Sequence, residues 1–171
     1  MKSLRHLQLS SALAAIVALA ACSATQNLSP STAAGSDSRV ATKFTASYSG
    51  TISVNGDCSI TKTFTYKGTG RSKFLGSSSE LISLTWNCGS QDVAGSATLT
   101  STKHPRSSIT ASLSGTHVKN PCDMPPLSFT ITSGTGRLRK ATGSGTLVFT
   151  ELSSYCLYNQ YTDKWRGTLK P

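Results

Sequence analysis

The stretch Gly134-Thr135-Gly136-Arg137-Leu138-Arg139-Lys140-Ala141-Thr142-Gly143-Ser144-Gly145 decides the fold. Apolar alternation surrounds it: Leu127, Phe129 and Ile131 before, Leu147 and Phe149 after. A glycine run between two strand patterns reads as a corner, because glycine accepts positive φ and lets the chain turn. It is not a phosphate loop, which would carry a third glycine at fixed spacing and open a helix. A fainter copy, Gly68-Thr69-Gly70-Arg71 followed by Gly76-Ser77, lies upstream. Two copies of a glycine turn predict one unit built twice, with both turns at the same end.

Outward from these turns the period is two. Phe44, Ala46, Tyr48, Gly50, Ile52 and Val54 alternate with hydroxyl residues, then Asn55-Gly56 gives a hairpin signal. Ile60, Lys62, Phe64 and Tyr66 form the second row, Ile82, Leu84 and Trp86 the third, and Val93, Gly95, Ala97 and Leu99 the fourth. His104-Pro105 breaks the pattern. The second half echoes the first: Ser47-Tyr48-Ser49-Gly50-Thr51 matches Ser112-Leu113-Ser114-Gly115-Thr116, and Phe64-Thr65 matches Phe129-Thr130. It adds strands over 109–118, 127–133, 147–152 and 161–169. The 171 residues, 14% of them charged and rich in Ser, Thr and Gly, suit one domain of short strands. The expected fold is all-β: an eight-stranded antiparallel up-and-down barrel made of two four-stranded repeats. Closure removes exposed sheet edges. A β-sandwich is the alternative.

On these residues the chain resembles the allene oxide cyclase and dirigent barrel families. Phe129-Thr130-Ile131, Gly134-Thr135-Gly136-Arg137-Leu138 and Ala141-Thr142-Gly143-Ser144-Gly145 look like those families' "GGTGrF-xx-AtGsG" segment, with Leu138 where an aromatic is usual. The resemblance is sharp over about a dozen residues and implies an eight-stranded barrel. It also implies small apolar ligands, guided cyclisation or coupling in the plant members, and assembly as dimers or trimers. None of the families' catalytic residues can be matched to a position of this chain.

The N-terminus reads as an address. Lys2 and Arg5 precede an apolar run, Ala12 to Ala20, too short to span a bilayer. Leu19-Ala20-Ala21-Cys22 then resembles the lipobox of bacterial lipoproteins, and Ser23 the pattern sent on to the outer membrane in Gram-negative cells. Residues 1–21 are expected to be a signal peptide. Residues 22–42 form a polar linker that begins at a lipidated (palmitate-bearing) Cys22 and reaches roughly 25 Å. Residues 43–171 form the barrel. The expected localisation is the bacterial cell envelope, with the membrane as partner through the acyl chain. The net charge is +10; without Lys2 and Arg5 the 15 basic and 7 acidic residues left give +8. Beside the basic residues near the two glycine turns Phe74 and Leu138 offer little stacking surface, so nucleic acid is not expected as a partner.

Four cysteines remain: Cys58, Cys88, Cys122 and Cys156. In the predicted topology all four fall at the end opposite the glycine turns. An even number in an exported domain predicts two disulfides. Cys58–Cys88 with Cys122–Cys156 gives one per half; Cys88–Cys122 with Cys58–Cys156 also respects the repeat. No two cysteines have the close spacing that metal sites use, and no cofactor motif is present.

Four polar residues interrupt inward rows: Lys62, His117, Glu151 and Asp163. Inside a barrel, charge must be paired or wetted. A shared layer of these four, lined by Tyr48, Tyr66, Trp86 and Trp165, is the candidate ligand site. His104, before a proline in a loop, is expected at the surface. Register slips would turn these residues outward. The functional expectation is a membrane-anchored, calycin-like barrel that binds a small apolar ligand or surface partner. One alternative is a cyclase-like enzyme, although no catalytic residue is assignable; the other is a structural or adhesive protein with a filled barrel.

Overall fold

The computed structural model describes residues 40–116, 124–151 and 159–171. Eight antiparallel strands follow one another: β1 Thr42–Asn55, β2 Thr61–Ser72, β3 Gly76–Asn87, β4 Asp92–Ser101, β5 Ser108–Thr116, β6 Leu127–Gly134, β7 Thr142–Glu151 and β8 Tyr161–Lys170. Each strand pairs with the next, and β8 returns to β1 from Thr42↔Leu169 to Gly50↔Tyr161. That last pairing closes the barrel and excludes the sandwich. A bulge between Thr110 and Ala111 shifts the register of β5 against β6.

The period-two reading places the core. Phe44, Ala46, Tyr48 and Ile52 on β1, Ile82 and Leu84 on β3, and Val93, Ala97 and Leu99 on β4 are buried, while their neighbours face solvent. An eight-stranded barrel is just wide enough for side chains to fill. Here they fill it: Tyr66, Ile82, Leu84, Leu127, Leu147, Tyr161 and Leu169 each show 0% exposure, so no water-sized void touches them.

The glycine reading needs correction. Gly68 and Gly70 do not form a turn; they lie within β2, and Gly143 and Gly145 lie within β7, which therefore starts five residues before the expected Leu147. The β2–β3 turn is Lys73–Leu75, closed by Gly76 at φ +67°. Only the Gly134–Gly136 copy makes a corner: Gly136 has φ +56° and starts a 3₁₀ turn, Gly136–Leu138. The in-strand glycines are there for what crosses them. A Cβ on Gly70 would lie 2.8 Å from the Tyr48 ring, and one on Gly68 would strike the Tyr161 hydroxyl. These glycines let two tyrosines reach over β2 to β3.

The two ends of the barrel differ. At the end holding the β2–β3, β4–β5 and β6–β7 connections, Leu75, Leu138 and Ala141 are buried and plug the axis. The connections are also bonded together: Ser101 Oγ donates to Leu75 O (2.8 Å), and Thr135 Oγ1 donates to Arg106 O (2.7 Å). At the opposite end the Cys58–Cys88 disulfide joins the β1–β2 and β3–β4 connections. This pairing rules out Cys58–Cys156 and Cys88–Cys122. Cys122 and Cys156 lie outside the described residues, as do residues 1–39.

The disulfide closes a loop across a sequence separation of 30. Its removal in a Cys58→Ser, Cys88→Ser variant is expected to lower stability by about 3–4 kcal/mol, from the chain-entropy account of such loops. Urea midpoints of the variant and the oxidised parent measure this; equal midpoints would show the bond to be energetically idle.

Candidate functional site

The centre of the barrel is polar. Following one row of partners across the sheet, Glu80 on β3 faces Gly68 on β2, which faces Gly50 on β1, which faces Tyr161 on β8. The adjacent row runs Ser78, Gly70, Tyr48, Asp163. Tyr161 passes over the two glycines of its row and donates its O–H to Glu80 Oε2 at 3.0 Å. Trp165 Nε1–H donates to Glu80 Oε1 at 2.8 Å. Tyr48 passes over Gly70 to bond Ser78 Oγ at 2.8 Å, and its backbone N–H donates to Asp163 Oδ1 at 3.1 Å.

Glu80 and Asp163 are 3% and 1% exposed and lie close enough for each to act on the other's ionisation. Two buried carboxylates so close do not both stay charged, so one carries a proton. Burial pushes both groups up, and the charge of Glu80 adds to the shift on Asp163, which reaches about 10. Both oxygens of Glu80 already accept donors, which favours its charged form. No donor faces Asp163 Oδ2. The proton therefore sits on Asp163. Burial, chiefly, also raises the hydroxyls of Tyr48 and Tyr161 well above the ordinary tyrosine value, so both remain donors.

Aromatic rings form a column past this pair. Tyr66 contacts Phe149 (centroids 4.7 Å) and Tyr161 (5.1 Å); Trp165 contacts Phe129 (5.0 Å), which meets Phe44 (5.9 Å). The column ends at the disulfide end with Phe64, where Lys62 Nζ sits 5.9 Å from the ring centroid. Lys62 pairs with Trp86, which is partly buried, and Val54 beside Phe64 is 39% exposed. Met124 is also only partly buried against the core. Among the described residues, Lys62, Trp86, Val54 and Met124 stand at this rim, beside the end of the column.

The expected polar layer divides accordingly. Asp163, Tyr48, Tyr66 and Trp165 are interior; Lys62 and Trp86 are at the rim. On β2 the row through Lys62 and the row through Asp163 are eight residues apart, from 62 to 70, or roughly 26 Å along the strand. Lys62 and Asp163 thus occupy different layers. Glu151 ends β7 with its backbone opposite Tyr161, and its side chain is outside the described residues, as is His117. Glu80, the partner of Asp163, was not expected. Its signal is the parity of Ser78 and Glu80 with Ile82, Leu84 and Trp86, which a third row beginning at Ile82 leaves out.

A closed, sequential eight-stranded barrel filled by aromatics defines the class: the fold is that of a dirigent or allene oxide cyclase-like β-barrel. Among solved structures, the pterocarpan synthase dirigent protein superposes with a TM-score of 0.54 at 10% identity, covering 85% of this chain and 98% of that one. No family model matches the chain, and no curated protein matches it in sequence. At that identity the likeness is one of fold alone.

Proposed function

We propose that the protein is an exported, lipid-anchored barrel that holds a small apolar molecule at its disulfide-end rim. The observation that carries this reading is the contrast between the ends: one is plugged by Leu75, Leu138 and Ala141, while at the other the partly buried Trp86 and the exposed Val54 leave apolar surface beside Lys62. Such a rim suits a flat apolar ligand with an acidic or carbonyl group for Lys62, since concave apolar sites with few polar groups are the usual ligand sites. The dirigent-type fold supports a binding or guiding role. Binding is favoured over acid–base catalysis because the acid pair is sealed beneath Tyr66, Phe149 and Tyr161. Acylation of Cys22 is the proposed anchor and places the barrel in the cell envelope. Cys122–Cys156 is the proposed second disulfide, and the paired halves the trace of a duplication.

Native mass spectrometry of protein purified from its own host tests the ligand. A retained small molecule, lost in a Trp86→Ala, Lys62→Ala variant that melts like the parent, is the expected result. The second readout is tryptophan fluorescence: apolar aromatic probes should quench Trp86 and leave Trp165 of a Trp86→Phe variant unchanged. No retained mass, together with no quenching across such probes, would sink the binding reading and leave the filled, structural barrel. Peptide mapping of the same sample reads the acyl group on Cys22 and the second disulfide.

A further inference from the structure

We infer that the plugged end of the barrel is a docking face for an anionic bilayer. Its three connections carry Lys73, then Lys103 and Arg106, then Arg137, Arg139 and Lys140, all exposed. Among the described residues no acidic side chain lies with them. Of the four acidic side chains described, Glu80 and Asp163 are inside the barrel, and Asp57 and Asp92 stand in or beside the connections at the disulfide end. Among the described residues the exposed cations therefore concentrate at the plugged end, while Asp57 and Asp92 stand with Lys62 at the other.

The cations are held in place. Gly136, at φ +56°, brings the β6–β7 connection against the β4–β5 connection, where a Cβ would lie 2.7 Å from Arg106 O. Thr135 N–H donates to Ser108 O at 2.9 Å, and Thr135 Oγ1 accepts from Ser108 N–H at 3.0 Å. Lys103, His104, Arg106 and Arg137 consequently line one open recess of about 570 Å³. Like charges fixed around a recess repel one another, and a phosphodiester headgroup relieves that repulsion.

Two observations favour a bilayer over other polyanions. The chain enters the barrel at this end, through Lys43 at the start of β1, so the N-terminal segment with its apolar run and Cys22 joins the barrel on the cationic side. Apolar side chains also stand among the cations: Val40 is 77% exposed, and Phe74 is partly buried with Lys73 Nζ 5.7 Å from its ring centroid. A mixture of cations and a few apolar groups matches a headgroup boundary. The inference rests on the anchored reading only for the side from which the membrane is approached.

The test uses the chain from residue 22 with Cys22→Ser, so no acyl group contributes. It should sediment with vesicles of phosphatidylglycerol and phosphatidylcholine, not with phosphatidylcholine alone, and high salt should release it. Arg106→Gln with Arg137→Gln should weaken binding about 25-fold, roughly fivefold per charge. Lys67→Gln, which removes a charge from the barrel wall six residues along β2 from Lys73 (roughly 20 Å), should leave binding within about twofold of the parent, beyond screening distance of the face. A loss per charge from Lys67→Gln equal to that from the arginine pair would overturn the face in favour of net charge. Absence of vesicle binding would overturn it too, as would preferential binding to dextran sulfate through the same arginines, which would make the partner a polyanionic glycan. None of these results bears on Cys22, whose acylation is read separately by mass.

Discussion

An Asp163→Asn variant is expected to become more stable than the parent as pH rises, whereas Glu80→Gln is expected to be destabilised at every pH. Unfolded, the Asp163 carboxyl ionises near 3.8; folded, it keeps its proton to about 10. Between those values the native chain holds a proton that the unfolded chain has released. This contribution to stability is fully present below pH 4 and is lost as pH rises toward 10, by at most about 1.4 kcal/mol per unit. Asparagine mimics the protonated acid: its carbonyl accepts from the Tyr48 N–H, and its amide donates toward Glu80. The variant should lose one proton's worth of slope and overtake the parent above neutral pH. Glutamine at 80 must turn an NH₂ group toward either the Trp165 N–H or the Tyr161 O–H. That mismatch costs about 1–3 kcal/mol, or roughly 3–12 °C in Tm for a domain of this size. Thermal melts of the three proteins from pH 5 to 9 measure both effects. A parent slope that persists in Asp163→Asn would place the shared proton elsewhere.

The second large effect is steric. Gly68→Ala puts a methyl group against the Tyr161 hydroxyl and 2.8 Å from Ser49 O. Neither strand can move away, because β2 is bonded on both sides. A loss of about 3 kcal/mol is expected, at the upper end of overpacking costs. Tyr161→Phe alone should cost about 1–2 kcal/mol, for the lost bond to Glu80. Combined with Gly68→Ala it should cost less than the two losses together, because the atom that the methyl group strikes is gone. Chemical denaturation of the four proteins gives the coupling directly. Strict additivity would show that the tyrosine does not lie over the glycine.

The period-two rows made the strands and the inward residues legible, since alternation is written in residue types. Asn55-Gly56 and the even strand spacing made the barrel legible. What glycine meant at Gly68 and Gly70 was not: a glycine that bends the chain and a glycine that makes room for a ring are the same letter. Only the partner tells them apart: Tyr48 stands on the neighbouring strand, 22 residues before Gly70, and Tyr161 stands two strands away, 93 residues after Gly68. Glu80 stayed hidden for a similar reason. Its burial is tolerable only because Tyr161 and Trp165 arrive from the far end of the sequence, and no local pattern announces them. Asp163 was visible because it breaks a row whose other members, Tyr161, Trp165 and Leu169, are apolar.

The pairing of β8 with β1 has a consequence for how the molecule is made. Tyr161, Asp163 and Trp165 all ride on the final strand, and Glu80 has none of these three partners until that strand is in place. A nascent chain of seven strands would therefore hold an uncompensated carboxylate and two bare edges, and would have little reason to stay shut. Folding is thus deferred to the last step of synthesis. Contacts spanning more than a hundred residues also make that step slow. On the proposed exported reading that delay is useful, because an open thread is what an export channel accepts.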